Sequence, residues 1–307
     1  MSGMRTVRDW VIATRPWSFC ASVVPILCVA SAMGCWSQAP VNWVNAALAL
    51  GVILFLHAGA NVLSDCRDHE QRVDGPLSLN GVTWIRAKVF QVGELRRYGL
   101  ALVGVGALLG ILLLARTDWR LIWIGVAGLV LSTGYSLFKF RALGDLAVLT
   151  AFALLPALGT GYVMTGSLCP ETLLVALPPG LLTMAILHAN NMRDVVSDAE
   201  AGILTLPGVV GVNVSKGIYG LETALPFAGI AVLVALGRFP WAALLVALLL
   251  PLVVRNLKRG LLAGGDLRVS LATLDRDSAQ LQLLFGLLLA SAFPLSRLAQ
   301  DLWGASA

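Results

Sequence analysis

Two short stretches of the chain carry acids at a spacing that can do chemistry. The first reads Asn61-Val-Leu-Ser64-Asp65-Cys-Arg67-Asp68-His69-Glu70-Gln-Arg72-Val-Asp74. The second reads His188-Ala-Asn190-Asn191-Met-Arg193-Asp194-Val-Val-Ser-Asp198-Ala-Glu200-Ala-Gly202. Asp65 and Asp68 stand three positions apart and Asp194 and Asp198 four apart, so on a helical continuation each pair shares one face. Like charges at that spacing repel, and two such pairs make sense around something strongly cationic. Magnesium suits them, because it takes hard oxygen ligands and is commonly held by one or two carboxylates together with substrate phosphate oxygens. A diphosphate bridging the two stretches would have the charge on its leaving group neutralised by the metal, so that an allylic carbon–oxygen bond ionises and an aromatic ring attacks the cation. The competing reading makes these acids ordinary loop residues balanced by Arg67, Arg72 and Arg193. Two pairs in the same setting, with Asn61 and Asn191 beside them, favour the metal.

What must position these stretches is a membrane bundle. The 307 residues are 58% hydrophobic and 13% charged with a mean hydropathy of +0.82, whereas a soluble domain carries about 25% charge. A bilayer core of about 30 Å takes about 20 helical residues. Nine segments fit that length, at about 17–34, 44–60, 98–115, 121–138, 146–166, 173–189, 221–237, 240–256 and 279–296. Trp17, Trp36, Trp43, Trp119 and Trp241 stand near their ends as interfacial anchors. The eighth is Pro-rich and its limits are soft. The expectation is an all-α, polytopic fold of about nine transmembrane helices, one domain over residues 1–307. The first apolar run, which contains Pro25, leads into more chain of the same character and reads as a membrane helix rather than a removable signal.

Charge distribution sets the orientation. With nine spans, one side holds only Arg116, Arg120, Arg238 and Arg297 of the 22 basic residues, so the other side, with the N-terminus and both acidic stretches, is expected in the cytoplasm. The net charge of +5 is accounted for by these short basic loops, which argues against nucleic acid as a partner. Long polar stretches at about 61–97 and 190–218 follow the second and sixth segments, suggesting two four-helix halves and an appended ninth helix. Cys20, Cys28, Cys35, Cys66 and Cys169 have no metal spacing and are odd in number, which speaks against a disulfide framework.

These motifs resemble those of the UbiA superfamily of intramembrane aromatic prenyltransferases. The first stretch is similar to its Asp-rich motif in the spacing of the menaquinone branch, with acids at Asp65, Asp68 and Asp74. The second is similar to that branch's Asn-Asn-x-Arg-Asp-x-x-x-Asp-x-x-x-Gly-x-x-Thr-Leu, matched by Asn190, Asn191, Arg193, Asp194, Asp198, Gly202, Thr205 and Leu206. Ala13-Thr-Arg15-Pro16-Trp17, Tyr135-Ser-Leu-Phe-Lys139 and Ala142-Leu-Gly144-Asp145-Leu agree with it, and the stretch from Ala142 to Leu206 is similar to the animal vitamin K members. The resemblance implies nine helices around a cavity that opens to membrane lipid, under a cytoplasmic cap holding magnesium diphosphate. By it, Asp65, Asp68, Asp194 and Asp198 hold the metal, while Asn61, Ser64, Asp74, Asn191 and Arg193 lie at the substrate. Tyr135 and Lys139 match the pair that faces the diphosphate, although Lys139 also reads as a snorkelling anchor, and Arg15 is either a substrate contact or a topology residue. Ser64 stands where the family usually has Asn, and Ile203 and Leu204 replace a basic residue of many bacterial members. Neither change removes a carboxylate.

The implied reaction moves a polyprenyl group from its diphosphate to 1,4-dihydroxy-2-naphthoate in menaquinone synthesis. Other acceptors, 4-hydroxybenzoate first and then haem or chlorin, remain open. From other classes, a secondary transporter would place its acids near the bilayer midplane rather than at helix ends, and a prenyl-lipid binding protein would lack metal-dependent turnover. His57 and His188, in or at the ends of membrane helices, read as hydrogen-bonded packing residues, with His188 one turn before Asn191.

Overall fold

The computed structural model describes residues 6–38, 40–70, 85, 89–139 and 143–304. Asp74 lies outside them, as do the side chains of Asp68, Tyr135 and Lys139. The described residues contain helices and no strand, in keeping with the all-α expectation.

The chain begins with α1 (Val7–Ala13), whose start is fixed by reciprocal bonds between Thr6 and Asp9. Asp9 Oδ2 accepts from both the backbone N–H and the hydroxyl of Thr6 at 2.8 Å, which holds its carboxyl below the usual range. Arg15 follows with φ 55° and ψ 59°, in the left-handed region, and among the described residues no other non-glycine has a positive φ. A single tight turn at Pro16–Ser18 leads into α2 (Cys20–Trp36), α3 (Trp43–Glu70), α4 (Val92–Arg116) and α5 (Leu121–Lys139). Next come α6 (Gly144–Thr165), with a widened π turn at Thr150–Leu154, and α7 (Thr172–Arg193). Two short helices, α8 (Val195–Glu200) and α9 (Leu206–Val210), precede α10 (Val212–Ala235). The chain then forms α11 (Trp241–Leu261), the four-residue α12 (Leu267–Ser270) and α13 (Leu274–Gly304). The first nine residues of α11 wind as a 3₁₀ helix before Pro251 opens its α-helical part, which accounts for the soft limits expected there.

Each of the nine expected segments lies on a helix. Among the described residues, however, seven helical stretches are long and apolar enough to cross a bilayer. The 17-residue α2 is shorter, because Ser37 turns to an extended conformation (φ −67°, ψ 130°) and ends it. The difference at α3 runs the other way. Its apolar part ends where expected, near residue 60, but the helix continues to Glu70, so the described part of the first acidic stretch, residues 61–70, is helix rather than loop.

Helix α2 orders its neighbours. The ring of Trp43 lies over Gly34 at one end of the α2–α3 contact, and His57 bonds Ser22 at the other, so α3 runs antiparallel to α2. Helix α7 is antiparallel too: Val175 and Ala176 share a core with Val29 and Met33, while the Thr183 hydroxyl donates to the Ala21 carbonyl at 3.1 Å. Helix α13 runs parallel to α2. Gln282 donates to the Cys20 carbonyl at 3.1 Å, Ser31 to that of Ala290 at 2.5 Å, and Arg297 to that of Gly34 at 3.2 Å. In a lipid solvent such contacts depend on close backbone approach, and at Gly286 an added Cβ would come within 2.0 Å of the Val24 side chain.

Candidate functional site

The two acidic stretches sit on helices that overshoot the start of α2 in the same direction. From His57, level with Ser22, α3 climbs eight residues to Asp65, about 12 Å at about 1.5 Å per residue. From Thr183, level with Ala21, α7 climbs eleven residues to Asp194, about 16 Å on the same basis. Since both helices are antiparallel to α2, Asn61 and Asp65 on one and Asn191 and Asp194 on the other emerge at one pole of the bundle.

At that pole the segment between α1 and α2 is tied down by α3. Asn61 Nδ2 donates to the Thr14 carbonyl and to Ser18 Oγ, both at 3.0 Å, and Ser18 Oγ lies 2.8 Å from the Arg15 carbonyl, to which it donates. The Arg15 guanidinium pairs with Asp65, whose residue is 5% exposed. One turn below, His57 is buried between Phe152 (ring centroids 4.6 Å apart, near-parallel) and Phe19 (5.5 Å). Its Nδ1 lies 2.8 Å from Ser22 Oγ. Ser64 is half-buried on α3. Asn61 therefore acts on the backbone that carries Arg15.

The second stretch bends instead of continuing. Asp194 ends α7 (φ −97°, ψ 9°), yet the Asp198 N–H still donates to the Asp194 carbonyl at 2.9 Å, so the four-residue register survives into α8. Gly202, at φ 71°, closes α8 while the Ile203 N–H reaches back to the Asp198 carbonyl at 2.8 Å. A side chain there would be strained, which gives the motif's glycine its reason. Buried Thr205 then holds the N-cap position of α9 without a side-chain cap bond, and Pro207 sits in its first turn, where no N–H is needed.

Arg193 is buried. It grips both oxygens of Asp194 (3.0 and 2.8 Å), Asn190 Oδ1 (2.5 Å) and Asp275 Oδ2 at the start of α13 (2.6 Å). In this structure it joins α7 to the last helix. Asn191 is buried as well, and its Nδ2 lies 3.4 Å from Asp145 Oδ1. Sequence reasoning passed over Asp275 and Glu222 and named Asp145 only as part of a motif; the buried Asp145 and Glu222 meet His188. Glu222 had a readable signal, since an acid inside an apolar span is costly and demands a partner. Asp275 had none, lying 82 positions from Arg193.

The acids at the pole fit magnesium by donor type: they offer carboxylate oxygens, with Asp65 and Asp194 each already facing a guanidinium. Comparison with known proteins adds the family. The sequence profile of the UbiA prenyltransferase family matches residues 22–260. The chain belongs to the UbiA prenyltransferase family. It is 32% identical over 228 residues to UbiA prenyltransferase domain-containing protein 1 of Rattus norvegicus, a match covering 71% of this chain and 66% of that protein. The chain thus spans a little under two thirds of the length of this relative. The mouse counterpart is 33% identical with the same coverage. Among solved structures, a UbiA homologue from Archaeoglobus fulgidus bound to GPP and Mg2+ superposes with a TM-score of 0.57, at 16% identity, over 92% of this chain and 99% of its own. That likeness establishes a UbiA-type fold. Both acidic stretches lie inside the matched range of the family profile, whereas Arg15 and Asp275 lie outside it.

Proposed function

We propose that this UbiA-family protein is a magnesium-dependent prenyltransferase that moves a polyprenyl group from its diphosphate to an aromatic acceptor within the membrane. The observation that supports it most is the emergence of two acid-bearing helix ends at the same pole of the bundle. Asp65, Asp68, Asp194 and Asp198 would hold magnesium, which when bound neutralises charge on the leaving diphosphate. The chain's own groups do the rest. Arg15, exchanging Asp65 for a diphosphate oxygen, and Lys139, as a point charge beside Tyr135, would fix the donor. Asp74 would complete the first motif, and Asn61 would keep the Arg15 turn in place. The acceptor we favour is 1,4-dihydroxy-2-naphthoate, since the second motif is similar to that of the menaquinone branch, and the acid pole would face the cytoplasm.

The test is direct. Purified protein is incubated with a polyprenyl diphosphate and a panel of aromatic acids, with magnesium or excess chelator, and products are identified by mass. Product from 1,4-dihydroxy-2-naphthoate only with magnesium is expected. Product from 4-hydroxybenzoate alone would move the acceptor assignment, and full turnover in chelator would end the metal assignment.

A further inference from the structure

Helices α6, α7 and α10 bring together three further ionisable groups beside Asn191. Asp145 is 4% exposed, His188 0% and Glu222 4%. His188 Nδ1 lies 3.2 Å from Glu222 Oε1 and 3.7 Å from Asp145 Oδ2, and one donor atom from each residue falls within 4.8 Å of the others. We propose that Asp145, His188 and Glu222 form a second metal site, for a divalent first-row transition ion such as zinc.

Three observations carry this beyond an internal ion pair. First, both carboxylates address the same imidazole nitrogen. That nitrogen can donate a single proton, so at most one of them is satisfied by it, and the further protein bond to Asp145 is the long one from Asn191 to its other oxygen. Second, Asp145 Oδ2, Glu222 Oε2 and His188 Nε2 have no hydrogen-bond partner among the described residues. A divalent ion at Nδ1 balances two carboxylates around a neutral imidazole and, of these three atoms, gives Asp145 Oδ2 its partner. Third, the two separations from Nδ1 suit a coordination shell. Ligand atoms about 2.1 Å from a tetrahedral ion stand about 3.4 Å apart, and the separations of 3.2 and 3.7 Å fall either side of that value.

The donor set also sets the ion's class. An imidazole with two carboxylates suits zinc and its first-row neighbours, whereas magnesium demands oxygen ligands and keeps its waters. The site therefore differs in chemistry from the acid pole. Its place suggests a strut: the ion would pin the start of α6 and the middle of α10 to the last turns of α7, beside Asn191, which already touches Asp145.

The full chain in detergent, stripped with chelator and kept in excess magnesium to fill the acid pole, is titrated with Co2+ and with Zn2+. We expect a single ion per chain, visible Co2+ ligand-field bands that Zn2+ abolishes, and a higher unfolding temperature on loading. His188→Gln and Glu222→Gln should lose the bands, whereas Asp65→Asn and Asp194→Asn should keep them. Wild-type protein that takes up neither ion in magnesium overturns the proposal and leaves a proton-sharing trio, whether or not the variants fold. Bands that persist in a folded His188→Gln protein, or vanish in Asp194→Asn, overturn it too. None of these readouts depends on prenyl transfer.

Discussion

Arg15 and Arg193 each face a motif acid, but they are held in different ways. Arg193 has a side-chain exposure of 3% and is shared between Asp194 and Asp275, which makes it a strut between α7 and α13. Replacing it with Gln leaves Asp275 without its charge partner in a half-closed site, and because that acid is 24% exposed the cost falls below the about 3–5 kcal/mol of breaking a fully buried pair. Arg193→Gln should accordingly unfold at clearly lower temperature in detergent, and an unchanged melt would return the residue to the substrate. Arg15 is the opposite case: its side chain is 28% exposed and its partner Asp65 is the candidate metal ligand. Arg15 itself is partly screened by solvent, but the Asp65 side chain is 7% exposed and would lose its charge partner, so Arg15→Gln should lower the unfolding temperature slightly while the KM for the prenyl diphosphate rises. Asp194→Asn keeps the side chain's size but removes a charge that the proposed metal would need, and turnover should fall by orders of magnitude because such stabilisation is worth several kcal/mol. Lys139→Met should weaken donor binding and rate but keep the magnesium dependence; wild-type kinetics would make Lys139 a topology anchor.

At the level of the helix, close crossings replace the water-driven core of a soluble protein. The α2–α13 contact has no room at Gly286, where Val24 is a stiff β-branched neighbour. Gly286→Ala should therefore cost about 1–3 kcal/mol or more through overpacking, read as a drop in unfolding temperature. Gly104→Ala, with nothing within 4 Å of its Cβ, should be neutral or slightly stabilising because Ala is the better helix former by about 1 kcal/mol. A gain of equal size at both positions would mean that helix propensity, not packing, decides. The helices themselves were legible because a lipid solvent writes them as unbroken apolar runs, and the Asp-rich stretches were legible because spacing encodes a shared face. What ran past the apolar signal was hidden. Helix α3 continues to Glu70 on polar residues that hydropathy does not mark as helix, and Glu70 there pairs with Arg96 of α4. The meeting of Asp145 with His188 and Glu222 was hidden for another reason: each is a lone residue in its own helix, and only the packing of three helices brings them together.

Across the whole molecule, charge is sorted along the bundle axis. Arg15, Arg193, Arg255 and Arg259 lie at the pole where α2 starts, the last two paired with Asp277 near the start of α13. Of the basic residues expected on the other side, Arg116 bonds Asn45 beside the start of α3, and Arg297 bonds Gly34 near the end of α2. Arg238 precedes Phe239, which packs on Trp36 and Phe293 at that same end. The helix directions agree, with α3 and α7 antiparallel to α2 and α13 parallel to it, as alternate crossings require. Basic loops are retained in the cytoplasm during insertion, so the pole with Asp65 and Asp194 should face it. In a background with the five cysteines removed, single cysteines at Ala199 and at Asp118 report the two poles to a membrane-impermeant maleimide. Cysteine at 118 should label in intact cells and cysteine at 199 only after the membrane is opened. Labelling of both from outside would break the single-pole arrangement, and the reverse pattern would put the prenyl diphosphate site on the side where no cytoplasmic donor can reach it.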